Sequence, residues 1–240
     1  KTLLSGDANF KPESARDVYL TACADIAETF RALGYKYAKS GPHFRRQSNE
    51  FTFQISFQSS RHNVSGQHVC LWIHANVFSR RLKLWREQQP KLHTSDHVAG
   101  GQIGNLQIDF DWLEWELADP ADRRLQIDNA ILTIQQLAFP YFALFEDLPC
   151  LISRLVTDDL PSMTIGSIIE FLLCFNDHKT AKKAATNFLR RRTNLIQPYA
   201  QEFANYADRG LTPIHPTGYA KQLAFASHAF GFGDLLSADA

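Results

Sequence analysis

The segment from residue 50 to residue 58 alternates polar and apolar side chains without interruption. Successive side chains of a β-strand point to opposite faces of the sheet, so this alternation predicts a strand with two different faces. One face would be apolar and the other polar but uncharged, namely Phe51, Phe53, Ile55 and Phe57 against Thr52, Gln54, Ser56 and Gln58. The pattern is typical of an antiparallel sheet that packs on a core with one face and offers the other to water or to a partner.

The composition indicates an ordinary globular protein without net charge. Of its 240 residues, 45% are hydrophobic and 12% are aromatic, as expected for a folded domain. Lysine plus arginine and aspartate plus glutamate each number 25. The overall charge therefore gives no reason to expect a nucleic acid or an anionic membrane as partner. No apolar run reaches the ~20 residues that a membrane-spanning helix needs, and we expect no membrane association.

The cysteines are widely spaced and each has apolar neighbours; they are Cys23, Cys70, Cys150 and Cys174. Small disulfide-bonded proteins carry dense, regularly spaced cysteines, whereas isolated cysteines in apolar surroundings are typical of reduced proteins. We therefore predict four buried free thiols and a cytoplasmic location.

The first 118 residues predict an α+β domain. Ser14 is a candidate N-cap and Gly34 a candidate C-terminal glycine of a first helix, and apolar residues ending at Leu33 follow helical spacing between them. Gly100 and Gly101 are expected to turn the chain into a last strand. The elements predicted after the helix are strands at 43–47, 51–58 and 68–79, a helix at 80–89, a loop at 91–101 and a strand at 102–110. This order predicts an N-terminal helix on an antiparallel sheet of about four strands.

From residue 119 onwards the hydrophobic period is helical. Asp119 and Pro120 form a strong helix start, and Pro140 is expected to kink or restart that helix. Further helices are predicted at 165–175, 179–192, 197–208 and 219–230. The chain thus divides into an α+β sheet domain at 1–118 and an all-helical region at 119–240 that packs on it.

Several phrases in the first half occur together in one known family. They are Leu33-Gly34-Tyr35-Lys36 after the first helix, Pro42-His43-Phe44-Arg45 in the next strand, the strand at 53–60 with Ser59 after Gln58, the extended segment 69–78 and the aromatic segment 138–145. This set resembles the bacterial domain-of-unknown-function family 4304, whose members carry a Leu-Gly-Phe-Lys helix end, a Phe-Tyr-Arg strand and a Gln-Lys-Ser strand end. The resemblance covers approximately residues 15–160. It implies a bacterial α+β protein of uncharacterised role and supplies no catalytic residues.

The motifs of common catalytic and cofactor-binding sites are absent from the sequence. His93 and His97 lie four apart, but in a predicted loop rather than on a helix that would direct both rings to one metal ion. The chain has no Gly-x-Ser-x-Gly elbow, no Cys-x-x-Cys and no phosphate-binding glycine motif. We therefore predict no catalytic residue, no metal and no cofactor.

A protein-binding surface is the better supported prediction. Carboxylates alternate with tryptophans between residues 109 and 116, and aromatic side chains beside acids make good anchors for another protein. Asp109 and Asp111 would share a face if the last strand extended that far. The predicted partner-binding residues are Thr52, Gln54, Ser56, Gln58, Trp72, His74 and Asn76 on the sheet, with Asp109, Asp111, Trp112, Glu114 and Trp115 as acidic and aromatic anchors.

The leading hypothesis is a non-enzymatic bacterial protein that binds another protein, as an immunity protein or antitoxin that neutralises a cognate toxin. A first alternative is a nucleic-acid-associated protein that uses the basic helix at 179–192, where Lys182, Lys183 and Arg190 fall near one side. A second alternative is an enzyme whose site is dispersed over His43, Arg45 and His74. A pocket that gathers these three residues would favour it.

Overall fold

An antiparallel sheet is the centre of the fold. The computed structural model describes residues 13–89, 92, 94–107, 109, 111–211 and 216–237. Within these residues the sheet has six strands, and the first five are neighbours in chain order while β6 pairs with the start of β4. The strands are β1 (Lys36–Ala38), β2 (His43–Ser48), β3 (Phe51–Ser59), β4 (Cys70–Phe78), β5 (His97–Gln102) and β6 (Trp115–Glu116).

Helices precede, interrupt and follow this sheet. The helices are α1 (Ala15–Thr29), α2 (Arg80–Glu87), α3 (Arg123–Thr133), α4 (Phe139–Glu146), α5 (Leu148–Thr157), α6 (Ile165–Phe175), α7 (His178–Arg190), α8 (Ile196–Arg209) and α9 (Tyr219–Ala229). The predicted α+β class, with a helical second half, is confirmed. Helix α5 and strand β1 were not predicted from the sequence, because β1 is only three residues long and α5 follows α4 with a single residue between them.

At the centre of the sheet, the strand register places an apolar residue of β3 opposite apolar residues of β2 and β4, and the next, polar residue opposite polar ones. Ile55 lies opposite Phe44 of β2 and Ala75 of β4, and all three side chains are fully buried. Ser56 lies opposite His43 and His74. Directly opposed residues of an antiparallel pair point to the same face, so the sheet has one apolar and one polar face.

Aromatic rings join the apolar face to the helices. Phe53 of β3 stacks on Phe142 of α4 with ring centroids 4.9 Å apart. Phe44 of β2 stacks on Phe30, which caps α1, at 5.3 Å. Burying each such ring contributes roughly 1.5–3 kcal/mol, and paired rings add about 0.5–1.5 kcal/mol beyond their area. One hydrophobic core therefore lies between the sheet and the helices and draws residues from both halves of the chain.

Helix α1 begins as predicted. The Ser14 hydroxyl accepts the Asp17 N–H at 3.1 Å and caps the helix. The α-helix ends at Thr29, and a 3₁₀ turn (Arg31–Leu33) follows before Gly34 at φ 84°. This tighter turn rotates Leu33 away from the buried face, so Leu33 is 55% exposed and its predicted place in the core is wrong.

Pro140 sets the junction between α3 and α4. Proline has no N–H to donate, and its ring clashes with the carbonyl four residues earlier in a regular helix. One wider π-helical turn (Ile134–Ala138) separates the two helices and Pro140 lies in the first turn of α4. The predicted restart at Pro140 is confirmed.

The predicted strand at 102–110 is wrong, because the strand lies earlier in the chain. Strand β5 ends at Gln102, and a 3₁₀ turn (Ile103–Leu106) follows. Gly100 and Gly101 are part of β5 rather than a turn before a strand. A Cβ atom on Gly100 would lie 2.1 Å from the Ala75 carbonyl oxygen, so glycine lets β5 approach β4 closely. His93 lies outside the described residues, as does Pro90, which directly follows the predicted helix at 80–89.

The four cysteines are free, as predicted, but Cys150 is exposed. It lies in the first turn of α5, whose buried side begins one residue later at Leu151. The prediction that Cys150 is buried is therefore wrong. Apolar neighbours in sequence do not bury a residue that faces outward on an amphipathic helix.

A buried ion pair connects the sheet half to the helical half. Arg86 of α2 donates its Nε–H to Glu170 of α6 at 2.7 Å, and their side chains are 7% and 14% exposed. The same guanidinium donates to the carbonyl oxygens of Ser95 and His97, both at 2.8 Å. Arg86 therefore fastens α6 to the chain that enters β5. Whether residues 1–118 and 119–240 are separable domains stays a prediction.

We expect Phe53→Ala to lower the free energy of unfolding by about 3–5 kcal/mol, because the substitution leaves a cavity beneath the ring of Phe142. Gln54→Ala changes the next residue on the opposite face and should alter stability by no more than about 0.5 kcal/mol. Urea denaturation of the two variants measures the difference. Equal losses would contradict the two-faced sheet.

Arg86→Ala should lower the free energy of unfolding by about 3–5 kcal/mol, since it leaves the Glu170 carboxylate buried without its partner. The double variant Arg86→Met with Glu170→Met should lose less unfolding free energy than the single variants Arg86→Met and Glu170→Met lose together. We expect the difference to exceed about 1 kcal/mol. The exposed pair Arg124 and Asp128 is the control, and Arg124→Ala should change stability by less than about 1 kcal/mol. Additive effects at Arg86 and Glu170 would show that the pair is not coupled.

Candidate functional site

The polar face of the sheet gathers most of the residues that the sequence predicts for partner binding. One row across the strands runs from His43 through Ser56 and His74 to Gln102, and a parallel row contains Gln54 and its neighbours. We call this surface the polar face. Its predicted members on β3 and β4 are Thr52, Gln54, Ser56, Gln58, Trp72, His74 and Asn76, and the register adds Lys36, His43, Arg45 and Gln47.

Hydrogen bonds orient side chains within the polar face. His74 Nε2 lies 2.9 Å from Gln58 Oε1, and because that oxygen can only accept, the histidine donates. Burial lowers the pKa of His74, so its imidazole is neutral at neutral pH. Thr52 donates to the Gln47 side-chain oxygen at 2.5 Å. The middle of the polar face is therefore polar and uncharged.

An aromatic and acidic cluster flanks the β4 side of the polar face. Trp112 is 57% exposed, and its ring centroid lies 5.7 Å from that of Trp72 with an interplanar angle of 77°. Trp72 donates its Nε1–H to Glu114 Oε2 at 3.1 Å, and Cys70 Sγ lies 3.6 Å from the same oxygen. We call Trp72, Trp112 and Glu114 the tryptophan rim. The sequence predicted all three residues but not their contact.

Close backbone packing positions the segment 111–114 beside β4 and β5. The buried side chain of Gln102 donates to the Leu113 carbonyl oxygen at 2.5 Å and accepts the Gly104 N–H at 2.8 Å. A Cβ atom on Gly104 would lie 1.7 Å from the Asp111 carbonyl oxygen, so only glycine fits at this position. Gln102 and Gly104 therefore hold the tryptophan rim in place without being part of it.

Three of the predicted anchors need correction. Trp115 is only 3% exposed and donates its Nε1–H to Asn129 of α3 at 2.9 Å, so it belongs to the core and is not available to a partner. Its position in β6, opposite Leu71, turns it inward. Asp109 and Asp111 are exposed, but the strand that would align them ends at Gln102. They flank the tryptophan rim on irregular chain.

Glu116 fixes the other end of this segment. Its carboxylate accepts the N–H groups of Val69 at 2.7 Å and Ala118 at 2.9 Å, and lies 2.5 Å from His68 Nδ1. Burial acts to raise the pKa of Glu116, but the two N–H donors and His68 together lower it below the ordinary value. The ionised carboxylate thus clips β6 to the start of β4.

The basic helix of the first alternative is α7. Arg191 and Arg192, directly after it, form ion pairs with Asp159 in the segment between α5 and α6. The Arg192 guanidinium also lies 3.8 Å from the ring centroid of Phe188. These two arginines stabilise the packing of α7, while Lys183 is exposed. A nucleic-acid role for residues 179–192 stays a prediction.

The residues of the dispersed enzyme site lie on β2 and β4. His43 and His74 flank Ser56 on neighbouring strands, and His43 Nδ1 lies 2.7 Å from the Gly41 carbonyl oxygen. Arg45 lines a cavity of about 340 Å³ beside β1, which neither histidine lines. In the described part of the chain, no group of three or more His, Cys, Asp or Glu residues could hold a metal ion.

A larger cavity, of about 780 Å³, lies between α1 and the β1–β2 turn. Arg16 and Tyr19 line it from the helix, and Lys39 and Pro42 line it from the turn. The sequence does not predict this cavity, because its walls come from segments that are separate in sequence and carry no recognisable motif.

The fold is thus an α+β arrangement in which helices cover one face of an antiparallel sheet and the candidate site is the other face. Residues 26–144 match the model of a family described as "Domain of unknown function (DUF4304)", so this segment, about half of the chain, is similar to that family. The segment includes the whole sheet and most of α4, and the predicted resemblance is confirmed. No curated protein and no solved structure matches the chain. Among the described residues, no helix has the length and hydrophobicity to cross a membrane.

Glu116→Gln should reduce stability at neutral pH and this loss should shrink in acid. A carboxyl group with a lowered pKa in the folded state stabilises the protein above the unfolded-state pKa, and this contribution disappears as the pH falls through the folded-state value. The difference in unfolding free energy between wild type and variant should therefore narrow below about pH 4.3. Denaturation between pH 7 and pH 3 measures it.

The exposed Glu28 of α1 provides the control for this experiment. Glu28→Gln should change stability by less than about 1 kcal/mol at pH 7, because its ion pair with Arg31 is exposed to solvent. A constant gap for Glu116→Gln over the whole pH range would contradict the clip formed by its carboxylate.

Proposed function

We propose that the protein acts without catalysis by binding another protein through the polar face, and that its partner is a toxin that it neutralises as an immunity protein or antitoxin. One observation carries this proposal. The end of α1 and helix α4 meet the aromatic side of the sheet, through the pairs of Phe30 with Phe44 and Phe53 with Phe142. The opposite side keeps an ordered array of polar side chains at the surface.

The dimensions of the polar face suit a protein partner. Five strands spaced by ~4.8 Å and central strands of nine residues at ~3.4 Å per residue span roughly 20 by 30 Å. The resulting area of about 600 Å² approaches the roughly 800 Å² that each partner contributes to a standard protein interface. A small-molecule site is instead a concave cleft that encloses most of its ligand.

The charge of the polar face changes from one side to the other. Lys36 and Arg45 lie opposite each other on β1 and β2. Asp109, Asp111 and Glu114 are exposed on the β4 side. A partner with the complementary arrangement would bind in one orientation, and charge complementarity would raise its association rate. Toxins that act on nucleic acids are usually basic, so the acidic side would face the substrate-binding surface of such a toxin.

Ser56→Arg tests this proposal, because it places a long charged side chain at the centre of the polar face. The neighbouring gene's product is the first partner to test, by co-purification and calorimetry. We expect wild type to bind it and Ser56→Arg to bind roughly 30-fold more weakly or worse, the effect of disrupting a central hot spot. Ser153→Arg makes the same substitution at an exposed position of α5 and should leave binding unchanged.

Thermal unfolding of both arginine variants checks that each remains folded. A complex that forms equally well with Ser56→Arg would place the interface elsewhere. The absence of a complex between wild type and this product would refute the proposed toxin neutralisation.

A further inference from the structure

The tryptophan rim presents two indole rings at nearly a right angle. The centroids of Trp72 and Trp112 lie 5.7 Å apart at 77°, and Trp112 remains 57% exposed. The face of an indole ring attracts a cation placed within about 6 Å of its centroid, and tryptophan does so more strongly than other aromatic residues. The two rings contact each other edge to face, so a cationic group would bind on the exposed ring of Trp112 rather than between the rings.

A carboxylate with unused acceptor capacity lies beside these rings. Glu114 accepts the Trp72 Nε1–H and contacts the Cys70 thiol through the same oxygen. A carboxylate has about four acceptor positions, so its second oxygen stays available. Within the described residues Glu114 forms no ion pair, although the exposed pairs elsewhere on this chain involve several of its glutamates.

The other titratable groups beside the rim do not neutralise this carboxylate. Burial and the nearby Glu114 raise the pKa of Cys70 to about 12, so it remains a neutral thiol. Burial lowers the pKa of His74, whose ring lies 6.5 Å from that of Trp112, so it is a neutral imidazole. The carboxylate of Glu114 therefore lies beside the two indole rings without a cationic neighbour among these groups.

We infer that Trp72, Trp112 and Glu114 receive an arginine side chain from the protein that docks on the polar face. This inference rests on the proposed function and specifies the chemistry of the partner. A guanidinium group is planar and weakly hydrated, so it stacks on an indole face while its N–H groups donate to a carboxylate. A lysine ammonium group is more strongly hydrated and cannot stack in this way.

The test uses free amino-acid derivatives, so it does not require the natural partner. The protein has four tryptophans, and their indole N–H signals can be followed by NMR in ¹⁵N-labelled protein. N-acetyl-arginine methylamide should shift the signals of Trp72 and Trp112 with saturation in the millimolar range. The signals of Trp115, which is bonded to Asn129, and of Trp85, which packs on Phe230, should not move.

Two matched controls isolate the charge. N-acetyl-citrulline methylamide has nearly the shape of the arginine derivative without its charge and should bind at least tenfold more weakly. Glu114→Gln keeps an acceptor for the Trp72 N–H but removes the negative charge, and it should weaken arginine binding at least tenfold. An unchanged Trp115 signal in this variant shows that the fold is intact.

Three results would overturn the inference: no saturable shift with the arginine derivative, equal binding of citrulline, or tighter binding of the lysine derivative. These results are distinct from failure of the proposed function. Loss of partner binding in Ser56→Arg together with a failed arginine titration would leave docking on the polar face standing and remove only the arginine site.

Discussion

Aromatic stacking between the sheet and the helices is the interaction on which the rest of the structure depends. The ring of Phe53 on that of Phe142, and the ring of Phe44 on that of Phe30, determine which side of the sheet is buried. Because side chains alternate along a strand, burying the aromatic set fixes the polar set on the opposite face of the sheet. The position of Ser56 at the centre of an open surface is therefore a consequence of core packing, not a separate feature.

Regular elements could be predicted from local sequence because the spacing of their apolar residues matches the side of the helix or strand that is buried in the fold. The alternation in β3 indicated both faces of the sheet, and Ser14 and Pro140 marked real helix boundaries. Prediction failed where a contact distant in sequence decides the local conformation. Glycine is typical of turns, but Gly100 lies in a strand. Strand β4 passes so close to it that a side chain at this position would not fit.

The candidate site shows the same division. Its members on β3 and β4 could be predicted because side chains alternate along a strand. For Trp112 and Trp115, which lie outside the long strands, nothing in the sequence favours one rather than the other at the surface. Trp112 lies on irregular chain, where no period relates it to the core, while Trp115 is turned inward by pairing with β4. Sequence alone could not show that Gln102 and Gly104 would hold this segment against the sheet. Such contacts join residues that no local pattern connects.

The alternation in β3 and β4 also bears on how proteins of this architecture can diversify. Positions that maintain the fold and positions that face outward alternate along the same strands, and their side chains point to opposite faces of the sheet. Mutations accumulating at one set leave the other untouched, so natural selection can retarget the exposed array without reopening the hydrophobic interior. Sequence variation that changes the exposed surface would then fall on every second residue of these strands, with the intervening residues held constant.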